Sequence, residues 1–118
     1  MLPEERDPAY LWDMLEAARE VETMLKDRDM AAFLADRVLL RATERCIEII
    51  GAAARRVSTA YTTAHVEIPW RNIIGQRNIL AHEYGQIDHE LLYKTAAEDI
   101  PRLIQQIEAL LPALEEID

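Results

Sequence analysis

The sequence is poor in glycine and cysteine and has no long apolar run. One cysteine, Cys46, rules out a disulfide within the chain and any cysteine-based metal cluster. Cys46 falls on the apolar stripe of an expected helix, so it reads as a small core residue and not as a nucleophile. No stretch approaches the roughly 20 apolar residues that span a bilayer. The opening MLPEERD is acidic and lacks the basic start and apolar run of a signal peptide, so the cytoplasm is the expected compartment. With three glycines, and prolines mostly near element ends, little interrupts the segments rich in Ala, Leu, Glu and Arg, which favour helix.

What is present is one domain's worth of chain. At 118 residues, half hydrophobic and 30% charged, it can bury a core without staples, and residues 1–118 are expected to form a single domain. The net charge of −9 argues against nucleic acid when taken alone, because phosphate binding rests on Lys and Arg. The charge is uneven, however. Between Gly51 and His82, Arg55, Arg56, Arg71 and Arg77 face Glu67 alone, a balance of +3 that leaves −12 for the remainder. A locally basic segment on an acidic body suits a small RNA contact or a groove for an acidic protein.

Asp7-Pro8 predicts a helix start, with Asp7 as N-cap, and Leu11, Met14, Leu15, Ala18, Val21 and Leu25 continue it to about residue 26. Asp29 is placed to cap a short turn over 30–35. Leu39, Ala42, Cys46, Ile49, Ile50, Ala53 and Val57 predict a second long helix ending near Ser58. Residues 58–68 have no clear period and read as loop or a short turn. Pro69 opens a third helix over about 70–81. Asp88 caps a fourth that runs towards the C-terminus, with a kink or restart at Pro101. Strand patterns, repeats and linkers are missing. The expectation is all-α: an up-and-down bundle of four to five helices.

One stretch carries chemistry: QRNILAHEYGQID, from Gln76 to Asp88. His82 titrates near neutral pH, Arg77 offers a planar cation that fits phosphate oxygens, and Asn78 adds an amide. These groups suit RNA cleavage by the RNA's own 2′-hydroxyl, which needs a base, an acid and a cation on the phosphorane, but no protein nucleophile, metal or other cofactor. On one straight helix Arg77 and His82 would point about 140° apart, at roughly 100° per residue. A helix ending near His82 would free the imidazole, and the turn at Gly85 would let Tyr84 sit beside it. One chain supplies one histidine here, so a two-fold dimer is expected to supply both acid and base. By residue type alone, the same three side chains can equally be a helix cap, a core histidine and a packed aromatic.

The stretch IPWRNIIGQRNILAHEYGQID, Ile68 to Asp88, resembles the signature of the HepT-like proteins of the HEPN superfamily. DMLEAAREVETML, RATERCIEIIGAAARRVS and AAEDIPRLIQQIEALL resemble the family's first, second long and last helices, so the likeness covers nearly the whole chain. It implies a HEPN bundle that dimerises around an R-x4-H-x-Y motif. It also implies an RNase toxin of a type VII toxin–antitoxin module, whose partner, an MntA-like minimal nucleotidyltransferase, transfers AMP to the motif tyrosine. Arg77 and His82 then take catalytic positions, Asn78 the polar position after the arginine, and Tyr84 the modified position. One departure stands out. Many members have an acidic residue after IIG, where this chain has Ala52; Glu48 or Glu44 would have to replace it. The alternative is a weak or inactive docking subunit of the nucleotidyltransferase.

The remaining candidates read mostly as structure. His65, His82 and His89 show neither HExxH nor an i,i+4 pair, so no metal site is expected. Trp12 and Trp70 could stack bases but fit core or interface better. Arg55, Arg56 and Arg71 are candidate RNA contacts, the first two also favourable cations at a helix C-terminus.

Overall fold

Four short polar side chains set where the helices begin. In the computed structural model, which describes residues 3–76 and 87–111, the carboxylate of Asp29 accepts from Ala32 N at 2.8 Å and that of Asp36 from Leu39 N at 3.0 Å. Ser58 Oγ accepts from Tyr61 N at 3.2 Å and Asp88 from Leu91 N at 3.1 Å. Each satisfies a donor that the first helical turn leaves open. A 3-10 turn, Pro3–Arg6, leads into α1, Asp7–Leu25. Then follow α2 (Met30–Ala35), α3 (Arg37–Arg56), α4 (Thr59–Ala64), α5 (Trp70–Ile74) and α6 (His89–Lys94). A π turn, Thr95–Asp99, joins α6 to α7, Ile100–Glu108. The described residues form no strand pairing of their own, and the architecture is all-α.

The core is a layer of three long members. α1 packs chiefly on α3 and next on α7. Leu11, Met14, Leu15 and Val21 of α1 meet Ile50 and Ala54 of α3 and Leu103 and Ile107 of α7, all buried. Cys46 lies in this cluster as expected. Burial, and a carboxylate of Glu20 3.5 Å from Sγ, push its thiol up to about 11, so it stays protonated near neutral pH. A second cluster seats Phe33 of α2 against Leu39, Leu40, Ile47 and Leu92, with Tyr93 tilted on Phe33 at 5.3 Å.

Three expectations change. Asp7 does not cap its own helix: Arg6 takes that position and Asp7 is the first helical residue. Its buried carboxylate instead accepts from Ser58 N at 2.8 Å and Ser58 Oγ at 2.6 Å, clasping the start of α1 to the start of α4. Part of the segment read as loop, 58–68, folds as α4 because Ser58 caps it. The third helix does not run unbroken from 70; α5 ends at Ile74, and Gly75 turns with its N–H on Arg71 O at 2.9 Å. The expected disturbance near Pro101 is the π turn just before it. A proline has no N–H and crowds the carbonyl four residues back, and widening the turn at 95–99 relieves both.

Candidate active site

The motif residues Arg77, Asn78, His82 and Tyr84 lie outside the described residues, as does the part of the third helix expected over 77–81. The structure does show what holds their segment at either end. On the N-terminal side is Gln76, whose Nε2 donates to Thr95 Oγ1 at 3.4 Å. On the C-terminal side, Ile87 packs on the Phe33 cluster and Asp88 caps α6. Both ends therefore meet one helical run, 89–99, and the π turn contributes Thr95 to the first of them.

α5 leads into the motif, and its seat on α3 depends on Gly51. A Cβ added there would come 3.1 Å from Ile73 O, with Ile74 O and Cα also within 4 Å. A glycine inside a helix costs about 1 kcal/mol relative to alanine, and here it permits close approach of two backbones. The sequence pattern alone does not mark Gly51 as a site determinant. The one signal is a lone glycine in an otherwise unbroken helical pattern. Upstream, Trp70 Nε1 donates to His65 O at 2.9 Å, Trp70 meets Tyr61 edge-on at 6.4 Å, and His65 stacks on Tyr61 at 4.2 Å. Trp70, the first residue of α5, is thus half-buried against the turn before it, as packing and not stacking would have it. Burial pushes the Tyr61 hydroxyl above its ordinary range, with Asp7 and Glu67 adding to the effect.

Between α3 and α5 opens a cleft of about 490 Å³, with Ile73, Ile74 and Gln76 on one wall and Glu44, Glu48 and Arg55 on the other. Ala52 lines the same wall and is exposed. Of the two carboxylates that could replace an acidic residue at 52, Glu44 faces His89 Nε2 at 3.6 Å and Glu48 meets Arg45 at 3.3 Å. The Glu48 pair is solvent-exposed and Glu44 is half-buried against an exposed His89, so both carboxylates are held only weakly. The three candidate RNA contacts are not gathered at one point. Arg55 is on this cleft, Arg56 lines a separate groove between α1 and α3, and Arg71 is exposed on α5. Trp12 is 38% exposed on α1. Among the described residues no group of three or more His, Cys, Asp or Glu is placed to hold a metal ion.

Residues 14–110 match the model of a family described as "Ribonuclease HepT-like". The chain belongs to the HepT-like ribonuclease family. It is 37% identical to "Putative RNase MJ1380" of Methanocaldococcus jannaschii over 85% of this chain and 92% of that protein. It is also 37% identical to "Probable ribonuclease HepT" of Thermococcus cleftensis over 86% of this chain and 92% of that one. No solved structure gives a significant match. The HepT-like match spans α1 from Met14 through α7, so it takes in the cleft and both anchors of the motif segment.

Proposed function

We propose that this chain is one HEPN domain over residues 1–118 that works as a metal-independent endoribonuclease toxin. Membership of a ribonuclease family carries this reading. The chemistry available at Arg77 and His82 supports it. The 2′-oxygen of a ribose attacks the adjacent phosphorus, the bond to the 5′-oxygen breaks, and a 2′,3′-cyclic phosphate remains. One imidazole takes the 2′-hydroxyl proton and a second protonates the leaving 5′-oxygen. Arg77 holds the charge that builds on the phosphorane oxygens, and Asn78 orients the phosphate. Because each chain offers one motif histidine, the second comes from a second copy across a two-fold axis.

Tyr84 is the control point. An MntA-like nucleotidyltransferase transfers AMP from ATP to its hydroxyl, with release of pyrophosphate. The ester places a phosphate beside Arg77 and His82, where it competes with RNA for the same cation. A second reading, a weakly active docking subunit of that nucleotidyltransferase, draws on one observation: the cleft wall carries Ala52 where the family resemblance implies a carboxylate.

Product ends test the mechanism. Unmodified protein in EDTA should leave cyclic phosphates on the 5′ fragment. Cleavage that stops in EDTA, or that leaves free 3′-hydroxyl ends, would reject it. Absence of cleavage would favour the docking reading. Treatment with the nucleotidyltransferase and ATP should add the mass of AMP to the wild type and not to Tyr84→Phe.

A further inference from the structure

The face of α3 turned away from the core is a row of arginines. At 100° per residue, Arg37, Arg41, Arg45, Arg55 and Arg56 fall within one arc of about 100°, opposite the buried stripe. All five are exposed. The chain has 22 acidic residues against 13 basic ones, yet the only carboxylate on this arc is Glu48. Arg45 meets that carboxylate; the other four arginines have no hydrogen bond or ion pair among the described residues. Arg37, Arg41 and Arg45 also stand at i,i+4 spacing, where like charges destabilise a helix. A face shaped only for stability would alternate its signs.

We propose that this row is a phosphate track that carries one strand of RNA along α3 into the cleft beside α5. The inference rests on the ribonuclease reading and extends it to Arg37, Arg41 and Arg45. Arg37, Arg41 and Arg45 are about 6 Å apart along the axis, four residues at 1.5 Å each, comparable with the separation of neighbouring phosphates on one strand; Arg55 follows about 15 Å further on, at ten residues. Arg45 and Arg55 border the cleft itself, so the row ends at the site. On its other flank, Asp13, Glu16 and Glu20 of α1 line the groove and repel phosphate, which keeps the strand on the α5 side. Guanidinium forks match phosphate oxygens in two-point contacts. A second copy is a poorer occupant, because a two-fold contact through this face would set its arginines against themselves.

The test compares two triple variants of the full chain that lose the same charge. One is Arg37→Ala, Arg41→Ala, Arg45→Ala; the other removes Arg6, Lys26 and Lys94, exposed cations away from α3. Binding of a long single-stranded RNA is measured against salt concentration, alongside cleavage of that RNA and of a dinucleotide. The track variant should lower the slope of log affinity against log salt by about 2, near 0.7 per lost phosphate contact, and raise KM on the long RNA about tenfold. On the dinucleotide, too short to reach Arg37 and Arg41, the loss should be smaller than on the long RNA, and the control should keep the wild-type slope. An unchanged slope in the track variant, or an equal loss in the control, overturns the track. So does a track variant that loses oligomer mass in sedimentation while its slope persists, since the face would then be a protein contact. If the wild type binds RNA but cleaves nothing, the ribonuclease reading fails, and the binding slope still decides the track.

Discussion

The α1–α3–α7 layer and the α5 strip are built on different terms. Each helix of the layer places several side chains in the core, and Leu11, Met14, Leu15, Val21 and Ile107 are fully shielded from solvent. α5 has five residues and buries none of them completely. It is held by a backbone contact at Gly51, by the aromatic turn before it and by Gln76 after it. The layer can supply stability without touching the chemistry. The strip contributes little stability but fixes where the motif segment starts. Damage to the two regions should therefore register in different measurements.

The largest effect is expected from the motif. His82→Ala or Arg77→Ala should lower RNA cleavage by about 100-fold or more, the range of a general acid–base or charge-stabilising group, with an unchanged melting temperature. Ile107→Ala should do the reverse. Losing a fully buried isoleucine costs about 2–5 kcal/mol. Urea midpoints would show that loss, while cleavage per folded molecule at low temperature stays near wild type.

Asp7→Ala comes next. Removing a buried carboxylate that accepts two hydrogen bonds from Ser58 should cost about 2 kcal/mol, read in the same urea titration. The α1–α4 clasp should open before the core does. Gly51→Ala sharpens the comparison, because it changes the layer and should be felt in the strip. Its Cβ needs Ile73 O to yield by a few tenths of an ångström. Stability should move little, since the gain of up to about 1 kcal/mol in helix propensity offsets the strain. Cleavage should fall several-fold through displacement of the motif.

The smallest effect lies at Asp36, whose carboxyl is held below its usual range, first by the Leu39 N–H and also by Arg28, against an opposing desolvation. A folded pKa below the unfolded one gives stability that is present above the unfolded value and lost as pH falls through the folded one. Asp36→Asn should lower the melting temperature slightly at neutral pH and flatten the acid limb of the profile, so that variant and wild type converge as pH falls.

Much of the layer was legible in the sequence because its signals are local and periodic. Leu11 to Val21 and Leu39 to Val57 repeat at helical spacing, and Asp29 and Asp88 are cap residues of ordinary type. The misreadings arose where a distant partner outweighs the local signal. Asp7 looks like a cap for its own helix, but it serves Ser58, 51 residues away. Nothing near Gly51 in the sequence shows that the backbone of Ile73 passes over it. The Thr-rich stretch after Ser58 lacked a period because α4 is short and buries none of its side chains completely. At the site, residue types pointed to phosphate chemistry, and family likeness, not spacing, assigned the roles of Arg77, His82 and Tyr84.

The most direct test runs wild type, His82→Ala and Ile107→Ala side by side in EDTA, with cleavage of one RNA and a urea titration on each preparation. His82→Ala should be as stable as the wild type and inactive, and Ile107→Ala destabilised but active while folded. His82→Ala cleaving at the wild-type rate would contradict that expectation.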